Sequence, residues 1–109
     1  MQLKIGQKIV VQENYEISTC ITNTKLEVKK GDIGFIDSSG LIHHLSGQAR
    51  GKIHNIADVE VKGYDIENIA ELIYRQLKSD FHINDILEDY DIDVREFKDS
   101  IEDILSEIL

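Results

Sequence analysis

Asp89, Asp91 and Asp93 stand at alternate positions, the spacing that opens an EF-hand calcium loop. That loop takes Gly at its sixth position and a bidentate Glu at its twelfth, and Val94 and Ser100 stand there instead. The stretch therefore reads as an acidic turn, with Asp93 capping the helix that follows. Four histidines, His43, His44, His54 and His82, raise zinc as a second chemistry. Neighbours on a strand face opposite ways, so His43 and His44 cannot share an ion, and no Cys pair accompanies them. Strand histidines on a solvated face are the expectation. The single cysteine, Cys20, has no His or Asp/Asn at a spacing that marks a nucleophile's partner. Gly47 to Ile53 departs from a phosphate loop in having three residues between the glycines and Ile after the Lys. No catalytic, cofactor or metal motif survives, so the expected protein is non-enzymatic and takes no cofactor.

The other chemistry in the chain is charge. Between Glu96 and Glu107 stand Asp99, Glu102 and Asp103, against Lys98 as the one cation. A DNA-recognition helix needs basic and amide side chains, so this row is repelled by a phosphate backbone. The same row fits the opposite role. On a helix rising about 1.5 Å per residue it places a carboxylate every ~3.3 Å, close to the ~3.4 Å phosphate spacing along one DNA strand. Asp99, Glu102, Asp103 and Glu107, with Asp89 and Asp91, form the candidate acidic binding face. Lys29, Lys30, Arg50 and Lys52, with Lys25, form a candidate basic set for RNA or single-stranded DNA.

These sets divide along the chain. Its 109 residues carry a net charge of −9, of which residues 1–63 hold +1 and residues 64–109 hold −10. Such an asymmetry between halves predicts two structural units. Hydrophobic residues make up 41%, enough for a core. The lone cysteine suits a reducing compartment, and the first residues carry no long apolar run, so a cytoplasmic protein without a membrane span is expected. Eighteen Ile against three Ala suggest an AT-rich genome, that of a low-GC bacterium or one of its phages or plasmids.

The elements that must position the two sets differ in period. Gln7 to Gln12, Leu26 to Val28, Ile33 to Asp37, Leu41 to Leu45 and Val59 to Lys62 read as five short strands, with Gly34 breaking the third and Ser38-Ser39-Gly40 turning into the fourth. After Gly63, taken as the hinge, apolar residues recur at helical spacing. Ile66, Ile69, Ala70, Ile73, Tyr74 and Leu77 form one stripe with Asp65 as N-cap, and Ile83, Ile86, Leu87 and Tyr90 form a second. Val94, Phe97, Ile101, Ile104 and Ile108 form the third, preceded by Asp93-Val94-Arg95-Glu96, a capping-box pattern.

Leu26 to Asp32 running into Gly31-Asp32, the turn at Ser39-Gly40, and Gly51-Lys52-Ile53 leading to Val61 resemble an SH3-like barrel over residues 3–62. The resemblance implies a short 3₁₀ turn at residues 55–58 before the last strand. It does not bring the proline-reading floor of eukaryotic SH3 domains, because this chain has neither Trp nor Pro. Bacterial SH3-like barrels serve as nucleic-acid modules, protein-docking modules and phage accessory proteins. The expectation is thus an α+β protein. An SH3-like barrel (1–63) precedes an acidic helical extension of two to three helices (64–109) that packs on the barrel or on a partner. The function expected is a protein-interaction module, an accessory or inhibitor protein of a phage or mobile element whose acidic helices mimic DNA and block a nucleic-acid-binding protein. The rivals are nucleic-acid binding by the basic loops and a homodimer seam along the last stripe.

Overall fold

The computed structural model describes residues 2–18, 24–55 and 58–109. The chain divides into two compact units, Met1–Tyr64 and Asp65–Leu109. Among its described residues the first holds eight strands: β1 (Gln2–Ile5), β2 (Lys8–Val10), β3 (Tyr15–Ser18), β4 (Lys25–Val28), β5 (Ile33–Ile36), β6 (Leu41–His44), β7 (Ile53–Asn55) and β8 (Glu60–Tyr64). They pair as three sheets, β1-β8, β2-β5-β6-β7 and β3-β4, and no closed barrel is found among the described residues. The β1-β8 pair is parallel and the others antiparallel.

Five of these strands lie where the apolar runs predict them, and β1, β3 and β7 are additional. None is marked by alternation alone: β1 is held by β8 from the far end of the unit, and β3 and β7 by the neighbouring strands β4 and β6. Gly34 does not break β5. It lets β6 approach, because a Cβ there would lie 2.6 Å from the His43 carbonyl oxygen. The turn at 37–40 is held by Asp37 Oδ1, which accepts from the backbone N–H groups of Ser39 (2.9 Å) and Leu41 (3.0 Å). Period-two alternation sends Ile42 and His44 inward from β6. The core forms two clusters, one of Leu3, Ile36 and Ile42, the other of Val11, Val28 and Ala49.

The second unit consists of α1 (Ile66–Phe81), α2 (Ile83–Asp89) and α3 (Val94–Ile108). Asp65 caps α1 by accepting from Asn68 N–H at 3.1 Å, and His82, in left-handed conformation at φ 52°, separates α1 from α2. Asp93 caps α3 through Arg95 N–H at 2.7 Å, one residue short of the partner that a capping box names. Tyr74 of α1 ties the unit together. Its hydroxyl donates to Asn84 Oδ1, its ring meets Phe97 edge-on at 6.3 Å, and Lys98 Nζ lies 4.6 Å from the ring centre. Lys98 also pairs with Glu71 at 2.7 Å, joining α3 to α1. Gly63, expected as the hinge, is instead a residue of β8, and the division between units follows Tyr64.

Candidate functional site

The acidic residues fall into three groups. Asp99 and Glu102 face a cleft of about 380 Å³ shared with Glu67, Glu71, Arg95 and Lys98, where Arg95 Nε stands 3.6 Å from Asp99. Asp103 and Glu107 continue along α3, exposed. Asp89 ends α2, and Asp91 occupies the following turn at φ 55°, both exposed. Among the described residues no ion pair reaches Asp89, Asp91, Asp103 or Glu107. The acidic turn between α2 and α3 thus has its third carboxylate, Asp93, engaged in the cap.

On α3, at about 100° per residue, Asp99 and Asp103 lie opposite Phe97, Ile101, Ile104 and Ile108, and Glu107 flanks that stripe. That apolar stripe is only partly covered. No residue of α3 is buried, and Ile104 and Ile108 are 55% and 73% exposed. Tyr90 and Phe81 are exposed as well. Tail-end apolar surface of this kind, bordered by charge, is a feature of interaction faces.

The basic set is brought together by the backbone. Lys29 and Lys30 follow β4, and Arg50 and Lys52 precede β7; all four are exposed. The two loops are laced by side chains: Ser46 Oγ accepts from Ile33 N–H at 2.9 Å and Gln48 Oε1 accepts from Glu27 N–H at 3.1 Å. The Asp32 carboxylate accepts from Lys29 N–H at 3.0 Å and fills the space a Cβ would need at Gly47, whose φ of 74° favours glycine. The segment that resembles a phosphate loop is therefore a turn buttressed by a carboxylate.

The histidines depart most from expectation. His43 does face outward, stacked on Phe35 at 4.6 Å and bonded through Nε2 to Asp37 Oδ2 at 2.8 Å. Burial would raise the Asp37 carboxyl, but the bonds from His43 and from the Leu41 and Ser39 N–H groups together hold it below its ordinary value. His44 is not on a solvated face: it is 2% exposed, and its Nε2 lies 2.8 Å from His54 Nδ1 with the two rings nearly parallel. Tyr15 flanks both rings, with centroids at 6.5 Å and 5.6 Å. Burial pushes both imidazoles below their ordinary pKa. The Asp32 charge partly offsets this at His44, and His44 adds to it at His54. The Tyr15 phenol is pushed up, first by burial and then by Asp32. A signal for this pair was present in the sequence, since Ile42 and His44 share parity on one strand and Ile42 is unmistakably core. Its partner, His54, is fixed only by the β6-β7 register.

Among the described residues no group of three or more His, Cys, Asp or Glu side chains is placed to hold a metal ion. Cys20 and the centre of the expected 3₁₀ turn, residues 56–57, lie outside the described residues. Among the described residues no helix is long and apolar enough to cross a membrane. No protein-family model, curated protein or solved structure matches this chain.

Proposed function

We propose that this protein is a non-enzymatic interaction module whose helical unit docks on the basic surface of a nucleic-acid-binding protein and occupies it as DNA would. The observation that carries this reading is α3, fifteen residues long with none buried, which offers carboxylates on one side and an Ile stripe on the other. An apolar anchor flanked by like charges suits a protein surface better than water, and the charge sign selects a basic one. Asp103 and Glu107 supply the carboxylates without a local cation, Asp89 and Asp91 extend them, and Asp99 and Glu102 stand beside Arg95 and Lys98. A phage or mobile-element inhibitor of a host factor is the setting this chemistry fits. For the first unit we keep the SH3-like barrel as the nearest architecture, supported by the Gly31-Asp32 turn and the Gly40 hairpin.

The test compares the full chain with a variant carrying Lys at positions 89, 91, 99, 102, 103 and 107. The wild type should retain a protein from a lysate of the native host in a salt-sensitive manner, release it to duplex DNA, and lose it on charge reversal. Retention that is indifferent to both the reversal and the DNA sinks the mimic. Light scattering at high concentration separates the homodimer, in which the Ile stripe is covered by a second copy.

A second reading has its own observation, the hydrogen bonds that join the segments around residues 27–33 and 46–48, the loops that carry Lys29, Lys30, Arg50 and Lys52. In that reading the protein itself binds RNA or single-stranded DNA. A gel shift by the full chain that weakens with salt, and disappears when these four residues are changed to Glu, would establish it.

A further inference from the structure

The β2-β5-β6-β7 sheet has two edge strands, β2 and β7, and both line one cleft of about 490 Å³. Ile9, Val10, Val11, Ile42 and the Tyr15 ring make most of its wall, and His54 is set among them. Volume and lining are those of a site for a small organic molecule, for which cavities of roughly 300–1,000 Å³ with few polar groups are usual.

Gln12, Glu13 and Asn55 also line the cleft, and His54, set among the apolar residues, is oriented from behind. His44 and His54 share one hydrogen bond, and burial keeps both rings neutral near pH 7. Two arrangements are open to a neutral pair. If His54 Nδ1 donated, His44 would carry its proton on Nδ1, an atom that is buried and, among the described residues, without a partner. An orphaned buried N–H is the rarer and costlier outcome, and a bare acceptor nitrogen is tolerated better. The network therefore assigns the proton of the shared bond to His44 Nε2, so that His54 accepts at Nδ1 and holds its own proton on Nε2. No protein atom among the described residues is bonded to that Nε2. His54 thus brings to the cleft an N–H donor whose tautomer is set by His44, beside the side chains of Gln12, Glu13 and Asn55. Glu13 stands in the same wall, and Asp32 acts electrostatically on Tyr15 and His44, so the local field disfavours an anion.

We propose that this cleft binds a small, uncharged, largely apolar molecule whose one hydrogen-bond acceptor is met by His54 Nε2–H. His44 acts as a positioning residue, setting the tautomer and ring plane of His54 without touching the ligand. The site is independent of the acidic helices, and its ligand has no bearing on the docking reading above.

The test uses the ¹⁵N-labelled full chain and two probes of matched shape, acetophenone, which carries a carbonyl acceptor, and ethylbenzene, which does not. Acetophenone should give saturable amide shifts centred on Val10, Val11, Tyr15, His54 and Asn55, and should bind about 2- to 10-fold more tightly than ethylbenzene, the ratio for one net hydrogen bond. Imidazole ¹⁵N spectra should show His54 protonated at Nε2 and bare at Nδ1, with Nε2 moving as acetophenone saturates. His54→Phe, which keeps the ring and removes the donor, should bring the two probes to equal affinity. Absence of saturation by acetophenone, equal affinities in the wild type, or shifts centred elsewhere would overturn the proposal, and the wild-type comparison stands whether or not the variant folds.

Discussion

The strand-rich unit buries Val28, Ile36 and Ile42 to 1% exposure or less, whereas α3 of the helical unit carries Val94, Phe97, Ile101, Ile104, Leu105 and Ile108 and buries none of them. The two units also spend polar groups differently. In the first, Asp32, Asp37, Ser46, Gln48 and His44 bond across loops and strands and tie them together. In the second, side-chain ties cluster on Tyr74 and Lys98, and most carboxylates stay in solvent. A unit whose polar groups satisfy one another is built to hold its own shape. One that leaves an apolar stripe and a charge row outside has both free for the docking proposed above.

The sharpest way to break this comparison is a matched pair of truncations. Ile42→Ala should cost about 2–5 kcal/mol in a urea titration, and Ile104→Ala should stay within roughly 0.5 kcal/mol. Equal losses would mean that α3 is packed into its own unit as firmly as β6 is. Gly34→Ala comes next, at about 1–3 kcal/mol, because the new methyl meets a backbone oxygen that only a strand shift can move.

The third test uses pH. With both imidazoles depressed, the unfolded chain takes up protons first as pH falls below about 6.5, the ordinary histidine value, so the first unit loses stability from there down to the folded-state pKa. Asp37 works in a lower window, its contribution being present above the ordinary carboxyl range and lost as pH falls through its depressed pKa. Melting followed from about pH 7.5 to about pH 5.0 should show the decline, and His44→Gln, which keeps a donor for His54 Nδ1, should flatten it. A wild-type curve without slope over that interval would contradict neutral burial of the pair.

Within the helical unit the effects are smaller. Asp93→Ala removes the α3 cap and should cost about 1 kcal/mol, seen as lost helicity by circular dichroism. Lys98→Met should cost no more than about 1 kcal/mol, since the Glu71 pair is half exposed and the methionine stem still covers the Tyr74 ring. A larger loss would show the second unit to be more tightly tied than its exposure indicates.

Local patterns made much of the molecule legible. The three helical stripes, the caps at Asp65 and Asp93 and the Asp37–Gly40 turn each depend on residues within four positions of one another, and all are present. The strands β1, β3 and β7 were less so. β1 is recognisable only once Leu3 is seen opposite Val61, and β7 only once His54 is seen opposite Ile42. The candidate sites divide in the same way. The acid row of α3 can be read from the residues alone, while the gathering of the basic loops rests on Gln48 and Asp32, whose roles nothing nearby in the chain announces.

By itself the sequence determined the division of charge, the helices with their two-sided character and the tight turns, because those follow from interactions within a turn or two of the backbone. Tertiary structure alone decided that the inward-facing His44 would meet His54 and that β2 and β7 would share a cleft. Such pairings are chosen by strand register between distant segments, and register is settled by which apolar faces find each other in the core, a choice that no local period records.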